Sequence, residues 1–209
     1  MALLQGQVGI QNAAEGGNPI TARMGRGGDL LTSQLHGDYR EAAFRRAIFV
    51  GSNGATPTVT TVALATTYTG LALINPAAST VNLSVLKVGL SFLVVFPAVS
   101  TLGIMTGHSP LGTTTFTAAA TDGLNSVFPG QRGQGRAALS ATLVGTPQLH
   151  TVVGSGLTGA VTTVPTQFAL YDLEGSLEIP PGGYAAIYTS TVCGAASMCA
   201  SFMWEECPV

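Results

Sequence analysis

Three histidines provide the side chains that hydrolytic enzymes most often use as general bases: His36, His108 and His150. Such a base works only when it is held against a nucleophile and oriented by a third group. His108 stands beside Ser109, but the surrounding GHSPLG is a turn rich in glycine and proline, and the GxSxG pattern of a nucleophile elbow is absent. The histidines therefore predict no hydrolytic triad.

Acidic residues alternate along a later segment of the chain. Asp172, Glu174 and Glu178 are separated by even numbers of positions, so a regular strand places them on one face. A pair of carboxylates on one face is the arrangement that glycoside hydrolysis requires. A solvated strand face has the same pattern and is the interpretation we favour. We predict no catalytic residues in this chain.

The three cysteines all lie close to the end of the sequence. Cys193, Cys199 and Cys207 have spacings of six and eight positions, without the paired short spacings of a zinc site and with no histidine nearby. An odd number of cysteines also favours free, reduced thiols over an obligatory disulfide. We predict no metal site and no structural disulfide.

Glycine clusters at residues 24–28, 51–54 and 130–136 lack the GxxxxGK[ST] and GxGxxG patterns of phosphate-binding loops. They are interpreted as turns, so no cofactor is expected. Arg132 and Arg136 lie on the last of these loops, where they either contact an acidic partner or keep the loop solvated. We favour the second interpretation. Together, these observations predict that the protein is not an enzyme.

Charged residues are unusually scarce. They make up 9% of the 209 residues, against about 25% in an ordinary soluble domain. The formal net charge is -2 and Lys87 is the single lysine, so the chain has no basic surface of the kind that binds nucleic acid directly. Because so few charges leave much apolar surface to cover, we expect a second copy of the chain to cover it, in a homo-oligomer.

A membrane partner is not expected either. The most apolar run, residues 85–99, is interrupted by Lys87 and Pro97, which leave nine residues between them. A helix that spans a bilayer needs about 20 apolar residues. The first residues, MALLQGQVGIQNAAEGG, lack the basic start of a secretory signal peptide, so none is predicted.

The elements that carry these residues are predicted to be mostly strands. Residues 1–50 are expected to form an N-terminal arm and lead-in segment with at most one short helix, at residues 38–46. From residue 51 to residue 209, short runs rich in Thr and Val between turn residues predict one all-β domain, either a sandwich or a barrel. The candidate strands are residues 59–65, 70–74, 80–96, 113–119, 137–144, 149–153, 168–179, 184–191 and 197–206.

Two of these strands carry specific predictions. In residues 80–96 the apolar positions change from odd to even near Leu86, which requires a β-bulge there or burial of both faces. Residues 168–179 and 184–191 flank the turn PPGG at residues 180–183 and are predicted to form a hairpin.

The chain resembles small structural proteins of tailed-bacteriophage virions. The resemblance lies in GDLLTSQLHGDYREAAFRRAIFVGSN, then TGLALINPAASTVNLSVLKVGL, and finally LEGSLEIPPGGYAAIY with SFMWEECPV, in that order and spacing. It implies a jelly-roll β-sandwich without catalytic residues, located in the virion and assembled in the cytoplasm of a host bacterium.

From this resemblance we expect a capsid decoration, or cement, protein of a bacteriophage. It would stabilise the phage head by self-association, most simply as a trimer, and by contact with the major capsid protein or another virion protein. Five of the seven arginines are the expected partner-binding residues: Arg23, Arg26, Arg40, Arg45 and Arg46. The alternatives are a tail adaptor or fibre-base component and, from another class, a carbohydrate-binding jelly-roll module, which needs exposed aromatic side chains.

Overall fold

The computed structural model describes residues 5–6, 20–21, 37–54, 57–59, 64–113, 115–127, 130–156, 168–194 and 198–209. The chain divides into two compact units, Met1–Arg40 and Glu41–Val209. In the first unit, strands β1 (Gln5–Gly6) and β2 (Ile20–Thr21) pair antiparallel. A five-residue helix, α1 (Arg40–Phe44), spans the point in the sequence where the units divide.

The second unit is built from thirteen strands among its described residues. In chain order they are β3 (Ile48–Ser52), β4 (Thr67–Tyr68), β5 (Ala72–Ile74), β6 (Val81–Phe92), β7 (Ser100–His108), β8 (Thr117–Ala118), β9 (Thr121–Asn125), β10 (Arg136–Leu139), β11 (Ala141–Thr142), β12 (Gln148–Gly156), β13 (Phe168–Ile179), β14 (Gly183–Thr189) and β15 (Met198–Pro208). All strand pairs are antiparallel.

Two large sheets form a β-sandwich. One has the strand order β13-β6-β15-β3-β9, and the other has the order β12-β7-β14-β5-β10-β8. Leu83, Phe202 and Trp204 from the first sheet and Ile104 and Ile187 from the second belong to one buried cluster. Successive strands from β5 to β7 and from β12 to β15 alternate between the sheets, as in jelly rolls. The predicted all-β sandwich is confirmed.

A second, smaller core covers the other face of the six-stranded sheet. Tyr68, Met105, Leu143 and Tyr184 are among its members. Met105 follows Ile104, which lies in the main core, and successive side chains of a strand point to opposite faces. The short sheet of β4 and β11 contributes Tyr68 and Ala141 to this outer cluster. The six-stranded sheet is therefore buried on both faces over part of its area.

The β-bulge predicted near Leu86 is present. Met203 of β15 pairs with Lys87 and Trp204 pairs with Val85, so Leu86 has no partner of its own on β15. The buried positions of β6 change from odd to even at this residue, as the pattern of apolar residues required. One extra residue thus lets both halves of a twelve-residue strand face the same core.

The predicted hairpin around PPGG is wrong. β13 pairs with β6 in the five-stranded sheet, whereas β14 pairs with β5 and β7 in the six-stranded sheet. A turn is present at these residues, where the Gly183 N–H donates a hydrogen bond to the Pro180 carbonyl at 2.9 Å. Ile179 and Ile187 face the same core from opposite sheets. Alternating apolar residues occur in both arrangements, so the pattern alone cannot distinguish a hairpin from a crossover between sheets.

Other predicted elements differ in extent. The helix is shorter than residues 38–46, because Arg46 adopts a left-handed φ of 60° after α1. The predicted arm ended at residue 50, but β3 continues through this position from Ile48 to Ser52. In the five-stranded sheet β3 lies between β15 and β9. In the second unit, β4, β7 and β9 were not predicted. Of the predicted strand at residues 59–65, residues 60–63 lie outside the described residues.

The last strand has the predicted faces. Met198, Ala200, Phe202 and Trp204 are buried on the core side of β15. The prediction succeeded because this strand alternates regularly over its whole buried length. The alternation of side chains along a strand is therefore enough to predict which face of β15 is buried.

Candidate functional site

A cavity of about 560 Å³ lies where β7, the start of β12 and the end of β13 approach one another. Its polar lining includes Thr106, His108, Gln148, His150, Glu178 and Tyr184. The two histidines are more than a hundred residues from the N-terminus and 42 positions apart in sequence, so only the sandwich brings them to one cavity. Sequence analysis named both histidines and Glu178 but did not predict that they share a site.

The histidines in this cavity lie against a backbone carbonyl and a hydroxyl group. Nε2 of His108 lies 3.1 Å from the Pro181 carbonyl oxygen, while the neighbouring Ser109 hydroxyl accepts a hydrogen bond from the Leu111 N–H. Nδ1 of His150 lies 2.7 Å from the Thr151 hydroxyl. His36 lies outside the described residues. Among the described residues, no carboxylate is hydrogen-bonded to either histidine, so the third group that orients the base of a hydrolytic triad is missing there.

The carboxylates of β13 do not form the regular row that alternation predicted. The pairing of β13 with β6 shifts between Asp172 and Leu177, and Glu174 adopts a left-handed φ of 47°. Asp172 forms an ion pair with Lys87, with 3.0 Å between Oδ2 and Nζ. Glu178, on the far side of this irregularity, lines the cavity. The irregularity therefore separates the carboxylates into different surroundings.

Tyr184 is the residue of this site that sequence reasoning missed. Its side chain is 1% exposed, and its hydroxyl has no hydrogen-bond partner among the described residues. Burial raises the pKa of Tyr184 to about 12, so the hydroxyl keeps its proton at neutral pH. The ring lies against Gly107, where any Cβ would overlap the hydroxyl. A tyrosine in an apolar strand usually indicates core packing, and the missing partner is visible only in the folded protein.

A second buried tyrosine shows how the fold normally satisfies such a group. The Tyr68 hydroxyl lies in the same outer cluster and donates to the Ile187 carbonyl at 2.7 Å. Burial raises the pKa of Tyr68 well above its ordinary value. Buried polar groups in native structures nearly always have a partner, and among the described residues Tyr184 shares this lack of one with Asn75 Oδ1 and Thr113 Oγ1.

The arginines of the last glycine loop do not simply keep that loop solvated. Nε of Arg136 donates to Oδ2 of the buried Asp122 at 2.8 Å, and the Ala137 N–H donates to Oδ1 at 2.8 Å. Arg132 approaches the same carboxylate at 3.7 Å. The favoured interpretation of this loop is thus corrected. Both arginines are directed to a carboxylate of this chain, because β9 carries Asp122 beside the start of β10.

Further contacts hold the same loop on the sandwich. The Gly135 N–H donates to Oε1 of Glu206 at 2.8 Å, and Oε1 of Gln134 accepts from the Thr80 N–H at 2.9 Å. Both N–H groups thus have an acceptor within this chain. The loop is therefore a structural connection between β9 and β10.

The three cysteines differ in burial. Cys193 is buried, Cys199 and Cys207 are half-buried, and none of the three forms a disulfide bond. Burial, followed by the charges of Glu205 and Glu178, raises the pKa of the Cys207 thiol. Among the described residues, no group of three or more His, Cys, Asp or Glu side chains could hold a metal ion.

The expected partner-binding arginines are only partly described. Arg23 and Arg26 lie outside the described residues. Arg40 begins α1, and Arg45 and Arg46 follow its end; all three are exposed. The Arg46 carbonyl accepts a hydrogen bond from the Asn125 amide at 2.6 Å, which attaches the turn to the end of β9.

Apolar side chains are exposed at several places on the sandwich, and three of them lie on the faces of the two large sheets. On the outer face of the five-stranded sheet, Leu170 is 65% exposed beside a shallow groove that Gly89 and Ser201 help to form. We call this the Leu170 surface. On β12, Leu149 and Val152 are 40% and 53% exposed and pair with Met105 and Gly103. They share the outer face of the six-stranded sheet, and we call them the β12 surface.

Comparison of the chain with protein-family models, curated proteins and solved structures finds no match. No described helix has the length and apolar content needed to cross a membrane. The aromatic side chains that a carbohydrate-binding module needs are scarce on the described surface, where Phe44 is the one aromatic among the large exposed apolar residues.

Proposed function

We propose that this protein is a virion structural protein that decorates a phage capsid and stabilises the head by self-association and capsid contact. Its place in a virion rests on the resemblance of the sequence to phage structural proteins. The observation that carries the associative mechanism is the presence of two separate exposed apolar surfaces on a domain with few charges. Exposed apolar surface of this kind marks protein interfaces.

The proposed oligomer is a closed ring in which the Leu170 surface of one copy contacts the β12 surface of the next. Two different patches on one chain give a head-to-tail contact, which closes into a ring when the rotation allows. A trimer is the ring expected from the resemblance. The Lys87–Asp172 ion pair neutralises both charges next to the Leu170 surface, so an apolar partner meets little net charge there.

Replacing Leu170 or Val152 by glutamate is expected to convert the oligomer to a monomer. Each change places a charge in a contact that excludes water, where an unpaired charge is strongly unfavourable. Leu111→Glu is the matched control, because Leu111 is 81% exposed in the turn after β7 and belongs to neither surface. Sedimentation velocity should give about three chains for the wild type and for the control.

A wild type that sediments as a monodisperse monomer would exclude the associative mechanism. If the Leu111→Glu control dissociates as readily as the two surface variants, the interface between copies is not formed by these two surfaces alone. Circular dichroism of every variant shows whether the β-sandwich is intact.

The second proposed contact is made by the arginines of the arm. Deleting residues 1–28 and replacing Arg40, Arg45 and Arg46 by alanine should leave a folded β-rich oligomer that no longer binds capsids. Arginine suits such a contact, because its guanidinium pairs with carboxylates through two hydrogen bonds. Cosedimentation with purified phage heads measures the binding, and Arg132→Ala serves as a control that removes an exposed arginine of the sandwich.

Full occupancy of heads by the truncated variant would contradict the arm's role. Aggregation or unfolding of the same variant would show that these residues stabilise the protein itself. Cosedimentation with isolated tails instead of heads would favour the tail adaptor over the decoration protein.

A further inference from the structure

One end of the sandwich has no charged side chains. No Asp, Glu, Lys or Arg occurs in residues 88–121, 137–171 or 179–204. Lys87 and Asp172 face each other near the middle of β6, and the carboxylates that follow on β13 and β15 lie toward the far end of that sheet. At the opposite end, β6 leads into β7 through residues 93–99, and β14 is followed by residues 190–194. We call these two segments the uncharged end.

The uncharged end exposes apolar side chains in its first loop. Leu93 is 52% exposed and Val99 is 67% exposed. Pro97 and Ala98, between them in sequence, are exposed as well. A group of exposed apolar residues on a folded domain marks a surface that a partner covers. The loop between β6 and β7 is therefore a candidate contact.

This loop is anchored on the sandwich. The Phe96 side chain is 1% exposed in the cluster between the sheets and packs against Phe92, with 4.8 Å between the ring centroids. Where the loop ends, the Thr101 N–H donates to the Ser190 hydroxyl at 2.8 Å and joins the two segments of the uncharged end. A surface that is ordered before binding loses less conformational entropy when a partner binds.

The absence of charge favours a second copy of this chain as the partner. Copies that meet on a symmetry axis bring the same side chains together, so a charged end would repel itself. The far end of the five-stranded sheet is of that kind, because Glu178 and Glu205 flank Ser84 there. A lipid surface fits less well. The exposed residues described in the uncharged end include none of the Trp, Tyr, Lys or Arg side chains that hold proteins at lipid headgroups.

The uncharged end is continuous with the two surfaces proposed for association. Leu170 pairs with Gly89, three residues before β6 ends. Val152 pairs with Gly103, three residues after β7 begins. Both exposed side chains thus lie in the half of the sandwich that is next to the uncharged end.

We propose that the loop of residues 93–99 meets its own copies on the symmetry axis of the homo-oligomer. The uncharged ends then converge on the axis and the charged ends point outward. This inference rests on the association proposed above and adds an orientation to it. Arg45 and Arg46 lie toward the outward end, because Ile48, which follows them, pairs with Glu205. The arginines proposed to contact a capsid are therefore directed away from the axis.

Val99→Glu should raise the dissociation constant of the oligomer at least about a hundredfold, because it brings like charges together on the axis. Val99→Gln is the matched control, since glutamine has the size of glutamate without its charge, and it should raise the constant by at most about tenfold. Sedimentation velocity of the full-length protein over a range of concentrations measures both. Circular dichroism should show an intact fold, because Val99 is exposed.

Val99→Cys tests the orientation itself. Mild oxidation should link pairs of chains through this position on a non-reducing gel, because a disulfide forms when two Cα atoms come within about 7 Å. Leu111→Cys should form no such link, because Leu111 lies in the turn after β7, where the Ser109 N–H donates to the Gly182 carbonyl at the far end. The wild type measures any linkage through the native cysteines.

The inference is overturned if the wild type is an oligomer that Val99→Glu leaves intact, and the proposed association then still stands. It is also overturned if Val99→Cys links no more chains than the wild type. A monomeric wild type removes the proposed association and this inference with it. Binding of the wild type to phosphatidylcholine vesicles, abolished by Val99→Glu, would assign the uncharged end to a lipid surface and overturn the proposal as well.

Discussion

Asp122→Ala is expected to lower the free energy of unfolding by about 3–5 kcal/mol, the largest effect of any substitution considered for this protein. The carboxylate is 3% exposed, and it pairs with Arg136 and accepts from the Ala137 N–H. Its removal leaves the Arg136 guanidinium without its counter-charge and the Ala137 amide without its acceptor. Urea denaturation at a fixed protein concentration measures the change.

Asp172→Ala is the matched control for this prediction. Asp172 also forms an ion pair with a basic side chain, Lys87, but it is 43% exposed. Because water screens an exposed pair, its loss should change the free energy of unfolding by at most about 1 kcal/mol. Equal effects of the two substitutions would show that burial of the Asp122 pair does not stabilise the connection between β9 and β10.

Asn53→Ala should lower the free energy of unfolding by about 3 kcal/mol, since it removes three hydrogen bonds worth about 1 kcal/mol each. The Asn53 side chain is fully buried after β3. Its amide donates to the Thr58 hydroxyl at 2.9 Å and to the Met198 carbonyl at 3.0 Å, and its oxygen accepts from the Ala200 N–H at 2.7 Å. It therefore ties the end of β3 to the start of β15.

Asn82→Ala provides the comparison for Asn53. Asn82 is a half-buried asparagine on β6, where the backbone is held by β15 without help from its side chain. A change below about 0.5 kcal/mol is expected there, as for most surface substitutions. A similar loss at both positions would mean that the cost reflects strand propensity and not the hydrogen bonds of Asn53.

Local sequence pattern predicted those features that depend on the period of a single strand. The switch of buried positions at Leu86 and the buried face of β15 both follow from alternation, because successive side chains of a strand point in opposite directions. The pattern failed for β7, where Gly103 and Gly107 interrupt the apolar run. These glycines are needed because Leu149 and Tyr184 pack where their side chains would be.

The sequence by itself determined the class of fold, because abundant threonine and valine with closely spaced turns predict an all-β domain, either a sandwich or a barrel. The tertiary structure decided which strands pair. It placed β13 and β14 in different sheets, directed Arg136 to Asp122, and left the Tyr184 hydroxyl without a partner beside a cavity. Strand pairing and side-chain hydrogen bonds join residues that are far apart in the chain. The alternation of residues within one strand carries no information about which distant residues those are.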